Sequence, residues 1–177
     1  KGQSVTEIIK TRLPVTAKLG VIAFVVSMVV GITLGVISAL TNKQWVNSLI
    51  TILATIGVSV PGFLLAMLMM ILLAVNLKLL PVVGLETPAS YIMPVLALSF
   101  SPISTITRLT RSSLRDVMGS DFITLARSKG TKESMVVIKH GLKNALLPVI
   151  TYAGPMFAGM ITGSLVIETL FSIPGIG

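Results

Sequence analysis

Eight of the fourteen basic residues crowd into one stretch: Arg108, Arg111, Arg115, Arg127, Lys129, Lys132, Lys139 and Lys143. Arg108, Arg111 and Arg115 recur at spacings of three and four, which places them along one helical face. Such a face reads either as the cytoplasmic extension of a membrane span or as a basic anchor among lipid headgroups. The chemistry on offer is binding rather than bond-making. There is one histidine, six acids are spread along the chain, and cysteine is absent. Disulfides, thiol catalysis and zinc-thiolate sites are thereby excluded. No catalytic constellation, metal site or cofactor site is expected. No G-x-x-x-x-G-K-[ST] phosphate loop occurs, so the chain does not bind ATP by that route. Nucleic-acid binding calls for basic residues interleaved with stacking aromatics, and Phe122 is the only aromatic in residues 108–143.

The elements that must position these groups are short. Ser120 or Asp121 suits a helix N-cap, Lys129 suits the C-terminal dipole, and Gly130 suits the left-handed residue after the last turn. A second helix is expected from Thr131, with Glu133 in its first turn, through Val136, Val137, Ile138 and His140 towards Leu142. This helix-Gly-helix is small enough to enter a pocket on another protein, and Ala126 and Gly130 keep it thin. Phe122 and Ile123 either enter such a pocket or pack against the chain's own helices. Asp121 either pairs with a partner's arginine or caps its helix. His140 reads as a surface or interface residue.

Elsewhere the chain is apolar. Hydrophobic residues make up 53% and charged residues 11%, against about 25% charged in a soluble domain. A water-facing surface cannot be clothed from that supply, and disordered chains are far more polar. Four runs free of charge, 19–42, 44–77, 87–107 and 144–167, are 24, 34, 21 and 24 residues long. About 20 apolar residues suffice to cross the hydrocarbon layer. The expected fold is all-α, a polytopic transmembrane helical bundle with about four spans at 19–41, 57–77, 89–107 and 144–168. Residues 44–56, with Gln44, Trp45, Asn47 and Ser48, read as an interfacial lead-in to the second span. Two short spans within 44–77 are the alternative. Residues 108–143 form a cytoplasmic segment, with 1–18, 78–88 and 169–177 external. The basic residues then divide nine inside to five outside (Lys1, Lys10, Arg12, Lys18 and Lys78), which fits the positive-inside bias. Residues 4–13 are expected to form a short amphipathic helix that Pro14 ends. A start at Lys1 and a stop at Gly177 read as a fragment.

Gly31/Gly35 and Gly159/Gly163 have the spacing that lets helix backbones approach closely. Glu168, at the end of a span, is either a gating or packing residue or a solvated rim residue. A translocation path could be lined by Ser59, Asn76, Ser99, Ser101, Tyr152, Met156 and Ser164, near the proline-broken backbones at Pro61, Pro102 and Pro155.

The run Asp121-Phe122-Ile123, Ala126-Arg127-Ser128-Lys129-Gly130, His140 and Asn144-Ala145-Leu146-Leu147-Pro148-Val149-Ile150-Thr151 resembles the cytoplasmic loop of ABC importer permeases. More narrowly it resembles the first permease of the oligopeptide/dipeptide/nickel group. Arg12-Leu13-Pro14 with Thr16, Gly31, Gly35 and Ala39, Ser59, Pro61 and Phe63, and Leu80-Pro81 with Gly84 extend the likeness. So do Glu168, Phe171 and Pro174-Gly175-Ile176-Gly177. The family's Glu-Ala-Ala is replaced by Thr124-Leu125-Ala126, so only Ala126 and Gly130 of that motif hold. The resemblance implies a non-catalytic subunit in the inner membrane of a prokaryote. Its partners would be a second permease, two cytoplasmic ATP-binding subunits, an external substrate-binding protein and membrane lipid, with no nucleic acid. It implies that residues 121–142 are coupling helices, with Asp121, Phe122, Ile123, Ala126, Arg127, Lys129 and Gly130 meeting an ATPase. It also implies that the first and last spans lie outside this chain.

A structural or assembly membrane protein with a basic anchoring loop is the alternative reading. An ion-coupled transporter would carry ionisable groups at mid-membrane, and the four runs have none.

Overall fold

The computed structural model describes residues 4–177. Lys1, expected on the external side, lies outside the described residues. All regular structure among the described residues is helical. Helix α1 (Val5–Leu40) starts where the Ser4 hydroxyl accepts the Glu7 N–H at 3.3 Å. The expected stop at Pro14 does not occur: α1 runs through it for 36 residues, about 54 Å. Proline removes one N–H and frees one carbonyl. Lys10, Thr11 and Arg12 are exposed here, so water can satisfy that carbonyl, while Thr16, Leu19 and Ala23 are already buried beyond it.

One face of α1 carries Thr16, Gly20, Ala23, Ser27, Gly31, Gly35 and Ser38, all buried. Helix α4 (Ile92–Met118) lies against that stripe along much of its length. A Cβ at Gly31 would sit 2.7 Å from the Ile106 side chain, and one at Gly35 would sit 2.5 Å from Thr110 Cβ. The Thr107 hydroxyl donates to the Gly31 carbonyl at 3.3 Å. Small residues thus allow contact between backbones, which is what drives helix association where lipid offers no hydrophobic gradient.

Helix α2 (Gln44–Ser59) is one uninterrupted element of 16 residues that packs on α4. The expected boundary between a 44–56 lead-in and a 57–77 span is therefore displaced. The chain breaks at Val60-Pro61, where α2 and the following helix meet at 103°. Val60 is extended, as the residue before a proline prefers. Helix α3 (Gly62–Met69) continues as a π-helical stretch, Met70–Asn76. A Cβ at Gly62 would sit 2.8 Å from the Ala97 carbonyl oxygen of α4.

Helix α5 (Asp121–Ser128) and helix α6 (Glu133–Met135) follow α4. A π-helical stretch, Val136–Leu142, joins α6 to α7 (Lys143–Ala145). Helix α8 (Leu147–Thr162) and helix α9 (Leu165–Leu170) together make up the stretch expected as a span at 144–168. Gly163 separates them at φ 89°, a conformation that ends a right-handed helix. Three helical stretches, Thr6–Leu40, Pro88–Met118 and Leu147–Leu170, are long and apolar enough to cross a bilayer, and the bent α2–α3 pair makes a fourth if it counts as one span. The core joins Leu19 and Ala23 of α1, Met93 and Ile106 of α4, Val149 of α8 and Phe171.

Candidate functional site

Helix α5 follows α4 after Gly119 and Ser120 and packs on the π-helical stretch Val136–Leu142, with Ile123 as its one buried side chain. Ile123 is 0% exposed, while Phe122 and Leu125 are 44% and 56% exposed on the same short helix. Ile123 therefore anchors α5 to its own chain rather than presenting itself to a partner, which corrects the sequence expectation. Leu125 takes its place on the outer face. Ser120 occupies the N-cap position, yet its hydroxyl donates to the Val117 carbonyl instead of capping α5. Asp121 is exposed in the first turn, where its charge favours the helix dipole.

Gly130 has φ 75°. Its N–H donates to the Arg127 carbonyl at 2.9 Å, and the Thr131 N–H donates to the Ala126 carbonyl at 3.3 Å. This pair of bonds is the Schellman closure of a helix, which requires a left-handed residue after the last turn. Nothing lies within 4 Å of a Cβ built at Gly130. The glycine is thus demanded by backbone geometry alone, and the space around it is open. Ala126 is half-buried, and Lys129 is exposed at the C-cap.

Across this turn Arg127 grips Glu133 with two parallel bonds, Nη2 to Oε1 at 2.6 Å and Nε to Oε2 at 3.1 Å. It is the only ion pair among the described residues. The hydrogen bond from Arg127 holds the Glu133 carboxyl below the usual carboxylate range, and the same bond raises Arg127. Arg127 is thus committed within the chain as a clip between α5 and α6. Beyond the clip, Val136 is fully buried, and a Cβ at Gly141 would sit 2.9 Å from Met118 Sδ of α4. Met135 and Ile138 point outward, exposed like Phe122 and Leu125. The segment thus buries Ile123 and Val136 and leaves four apolar side chains exposed among charges.

Glu168 lies away from this segment, in α9. It is 3% exposed, so a solvated rim position is ruled out. Its Oε1 accepts the Thr16 hydroxyl at 3.0 Å, and its Oε2 accepts the Gly177 N–H at 2.8 Å. Thr16 Oγ1 in turn accepts the Ile176 N–H at 2.9 Å. A Cβ at Gly163 would sit 2.7 Å from Glu168 Oε1, and one at Gly175 would collide with the same carboxyl. Three chain segments therefore close over one carboxyl group.

The second glycine pair does not behave like the first. A Cβ at Gly159 would meet nothing within 4 Å, and Gly163 lies past the end of α8. Of the expected pathway residues, Met156 and Ser99 are buried in packing positions. Tyr152 packs beside the core, and Ser59 is exposed at the end of α2 with its hydroxyl returned to the Thr55 carbonyl.

The family model described as "Binding-protein-dependent transport system inner membrane component" matches residues 31–177. The chain belongs to this family. Among curated relatives of this transport component, the dipeptide transport system permease protein DppB of Lactococcus lactis is 43% identical over 176 residues. That alignment covers 99% of this chain and 58% of the relative. DppB of Bacillus subtilis is 41% identical over 176 residues, covering 99% of this chain and 57% of the relative. The oligopeptide transport system permease protein OppB of Escherichia coli is 43% identical over 180 residues, covering 100% of this chain and 58% of the relative. The chain thus spans a little under three fifths of the length of these relatives. The crystal structure of an amino acid ABC transporter with histidines superposes with a TM-score of 0.73 at 14% identity, over 97% of this chain and 75% of that one. The shared fold is that of a multi-pass helical membrane protein.

Proposed function

We propose that the chain is part of a permease subunit of an ATP-driven importer in the inner membrane of a prokaryote, carrying peptides or related small solutes. Its partners in this reading are a second permease, two ATP-binding subunits and an external substrate-binding protein. The peptide assignment rests on the names of the DppB and OppB relatives. The observation that carries the mechanism is the α5–Gly130–α6 segment, whose outer face presents Phe122 and Leu125 while Ile123 and Val136 fasten the inner face. An inert loop needs no such two-sided patterning.

In mechanism, α5 and its glycine turn sit in a cleft of an ATP-binding subunit, in the cytoplasm. Closure of the two ATP-binding subunits pushes on α5. The push passes from α5 into the Val136–Leu142 stretch on which it packs, from there through the Gly141–Met118 contact to the end of α4, and through α7 to the start of α8. Because α4 packs along α1, these helices tilt together and open the path to one side or the other. Phe122 and Leu125 are the contact residues, Gly130 shapes the turn, and the Arg127–Glu133 clip keeps α5 and α6 moving as one piece.

The test uses the full-length permease in its complete transporter. Phe122→Ala combined with Leu125→Ala should leave membrane insertion and pairing with the second permease intact. It should lower substrate-stimulated ATP hydrolysis and uptake at least tenfold, since truncating a buried aromatic anchor costs on the order of 2 kcal/mol or more. Wild-type uptake and hydrolysis in the double variant would refute the docking role.

A further inference from the structure

Beside the arginine-bearing end of α4 lies a cavity of about 420 Å³. Thr51 and Thr55 of α2 line it opposite Arg108, Arg111 and Arg115 of α4, with Asp116 as its one acidic side chain. No carboxylate lies within ion-pair distance of these arginines among the described residues. Arg115 Nη2 donates to the Ser38 carbonyl at 3.4 Å. The Nε of Arg111 is buried with no hydrogen-bond partner. A buried donor without an acceptor is costly, and three unpaired guanidinium groups repel one another. Together they describe a place suited to receive an anion.

A second cavity of about 190 Å³ continues from the first and is apolar, with Leu34, Leu53, Phe100 and Ile103 in its walls. The two share Ile50, Ala54 and Thr107. Arg108 to Arg115 lie roughly 24 to 35 Å along α4 from its start at Ile92, at a rise of about 1.5 Å per residue, which is where a hydrocarbon layer of about 30 Å gives way to headgroups. A basic polar pocket at headgroup depth, open onto a greasy lane towards the bilayer interior, matches an amphiphile with an anionic head.

We propose that the α2–α4 groove is a binding site for one anionic phospholipid. Arg108, Arg111 and Arg115 hold its phosphate, and an acyl chain lies along Leu34, Leu53, Phe100 and Ile103. Guanidinium groups make paired, charge-assisted bonds to phosphate oxygens, and basic pockets between transmembrane helices take such headgroups. A soluble phosphate shares the head chemistry but has no use for the lane. The site rests on the membrane-spanning reading of α4 and is independent of what α5 docks against. The lipid would brace α2 against α4 next to the helix that carries the coupling segment.

The experiment is native mass spectrometry of the complete transporter, delipidated in detergent and titrated with phosphatidylglycerol, phosphatidylcholine or inorganic phosphate. Wild type should bind phosphatidylglycerol in preference to phosphatidylcholine, and millimolar inorganic phosphate should not displace it. Arg111→Gln should weaken phosphatidylglycerol binding about fivefold, and Arg108→Gln/Arg111→Gln/Arg115→Gln about a hundredfold. Leu53→Trp, which narrows the lane from an exposed position, should weaken the lipid severalfold while leaving the arginines in place, so the proposal stays testable if the triple variant fails to fold. Phosphatidylglycerol binding unchanged in Arg111→Gln and in Leu53→Trp would overturn the site. Equal binding of phosphatidylcholine, displacement by inorganic phosphate, or no lipid bound by wild type because the second permease fills the groove would each overturn it too. ATP-binding subunits retained in every variant would separate this failure from any failure of the docking reading.

Discussion

Two polar regions of this chain, the Glu168 cluster and the α5–Gly130–α6 segment, are built on opposite plans. Glu168 is buried and bonded to groups 152 residues away in α1 and nine residues on at Gly177. The α5–Gly130–α6 segment keeps its only ion pair within six residues of sequence and exposed to solvent. The first plan ties distant segments into one body, because each buried donor or acceptor that loses its partner is left unsatisfied. The second plan ties a unit to itself and joins it to the spans through the Val136–Leu142 stretch and α7, which pack on α4. In the proposed mechanism the first region acts as a clamp and the second as a lever.

The largest effect expected is at the lever. Gly130→Val places a β-branched residue at φ 75°, which L-residues with branched side chains strongly resist. Uptake should fall to background while membrane insertion and complex assembly are retained. Because the surroundings of Gly130 are open, Gly130→Asn, which tolerates the left-handed region, should keep most of the transport measured for wild type. Equal loss in both would mean that bulk rather than backbone decides.

At the clamp the expected outcome is loss of stability. Thr16→Val leaves the Ile176 N–H and Glu168 Oε1 without partners, and Glu168→Gln turns one acceptor into a donor facing other donors. Each should lower the stability of the purified transporter by on the order of 1–3 kcal/mol, read as a lower melting temperature of the detergent-solubilised complex. Cross-linking of α5 to its partner should change little. If either variant abolished that cross-linking with an unchanged melting temperature, the two regions would be functionally joined and the contrast drawn here would fail.

The smallest effect concerns the Arg127–Glu133 clip, which is exposed and screened by solvent. The folded-state pKa of Glu133 is depressed, so its contribution is present above the usual carboxylate range and lost as pH falls through the lowered value. Arg127 is raised, so its contribution persists until strongly alkaline pH. A spin label at position 128 should therefore become more mobile only at acid pH. In Glu133→Gln it should be mobile at every pH, with no acid step.

Much of this was legible in the sequence, for identifiable reasons. Gly130 reads directly, since a glycine after Lys129 at the end of an eight-residue helix has one conformational use. The charge-free runs locate the apolar helices, and Pro61 marks the break in the second run, but nothing in them shows the break at Gly163 or the continuity of α1 through Pro14. There a local rule met tertiary packing, and the stripe from Thr16 to Ser38 won. That stripe was itself readable as small residues at every third or fourth position, a signal wider than the Gly31/Gly35 pair. Spacing alone could not separate Gly31/Gly35 from Gly159/Gly163, because only the presence of α4 opposite the first pair makes it a contact. Ile123 and Phe122 are adjacent and alike in polarity, so which of them turns inward depends on how α5 leaves α4. The Thr16–Glu168 bond joins opposite ends of the chain, and no local pattern announces it.

The measurement that bears most directly on the lever is site-specific cross-linking at Ser128, which is exposed on α5, in a chain that has no cysteine of its own. Ser128→Cys is introduced into the full-length permease in native membranes, a short thiol-to-amine reagent is added, and the captured neighbour is identified by mass spectrometry with and without ATP. The account predicts capture of an ATP-binding subunit, with a yield that changes when ATP is added. Efficient labelling of Cys at this position with capture of lipid or unrelated proteins alone would contradict it and leave residues 121–142 as a basic anchor.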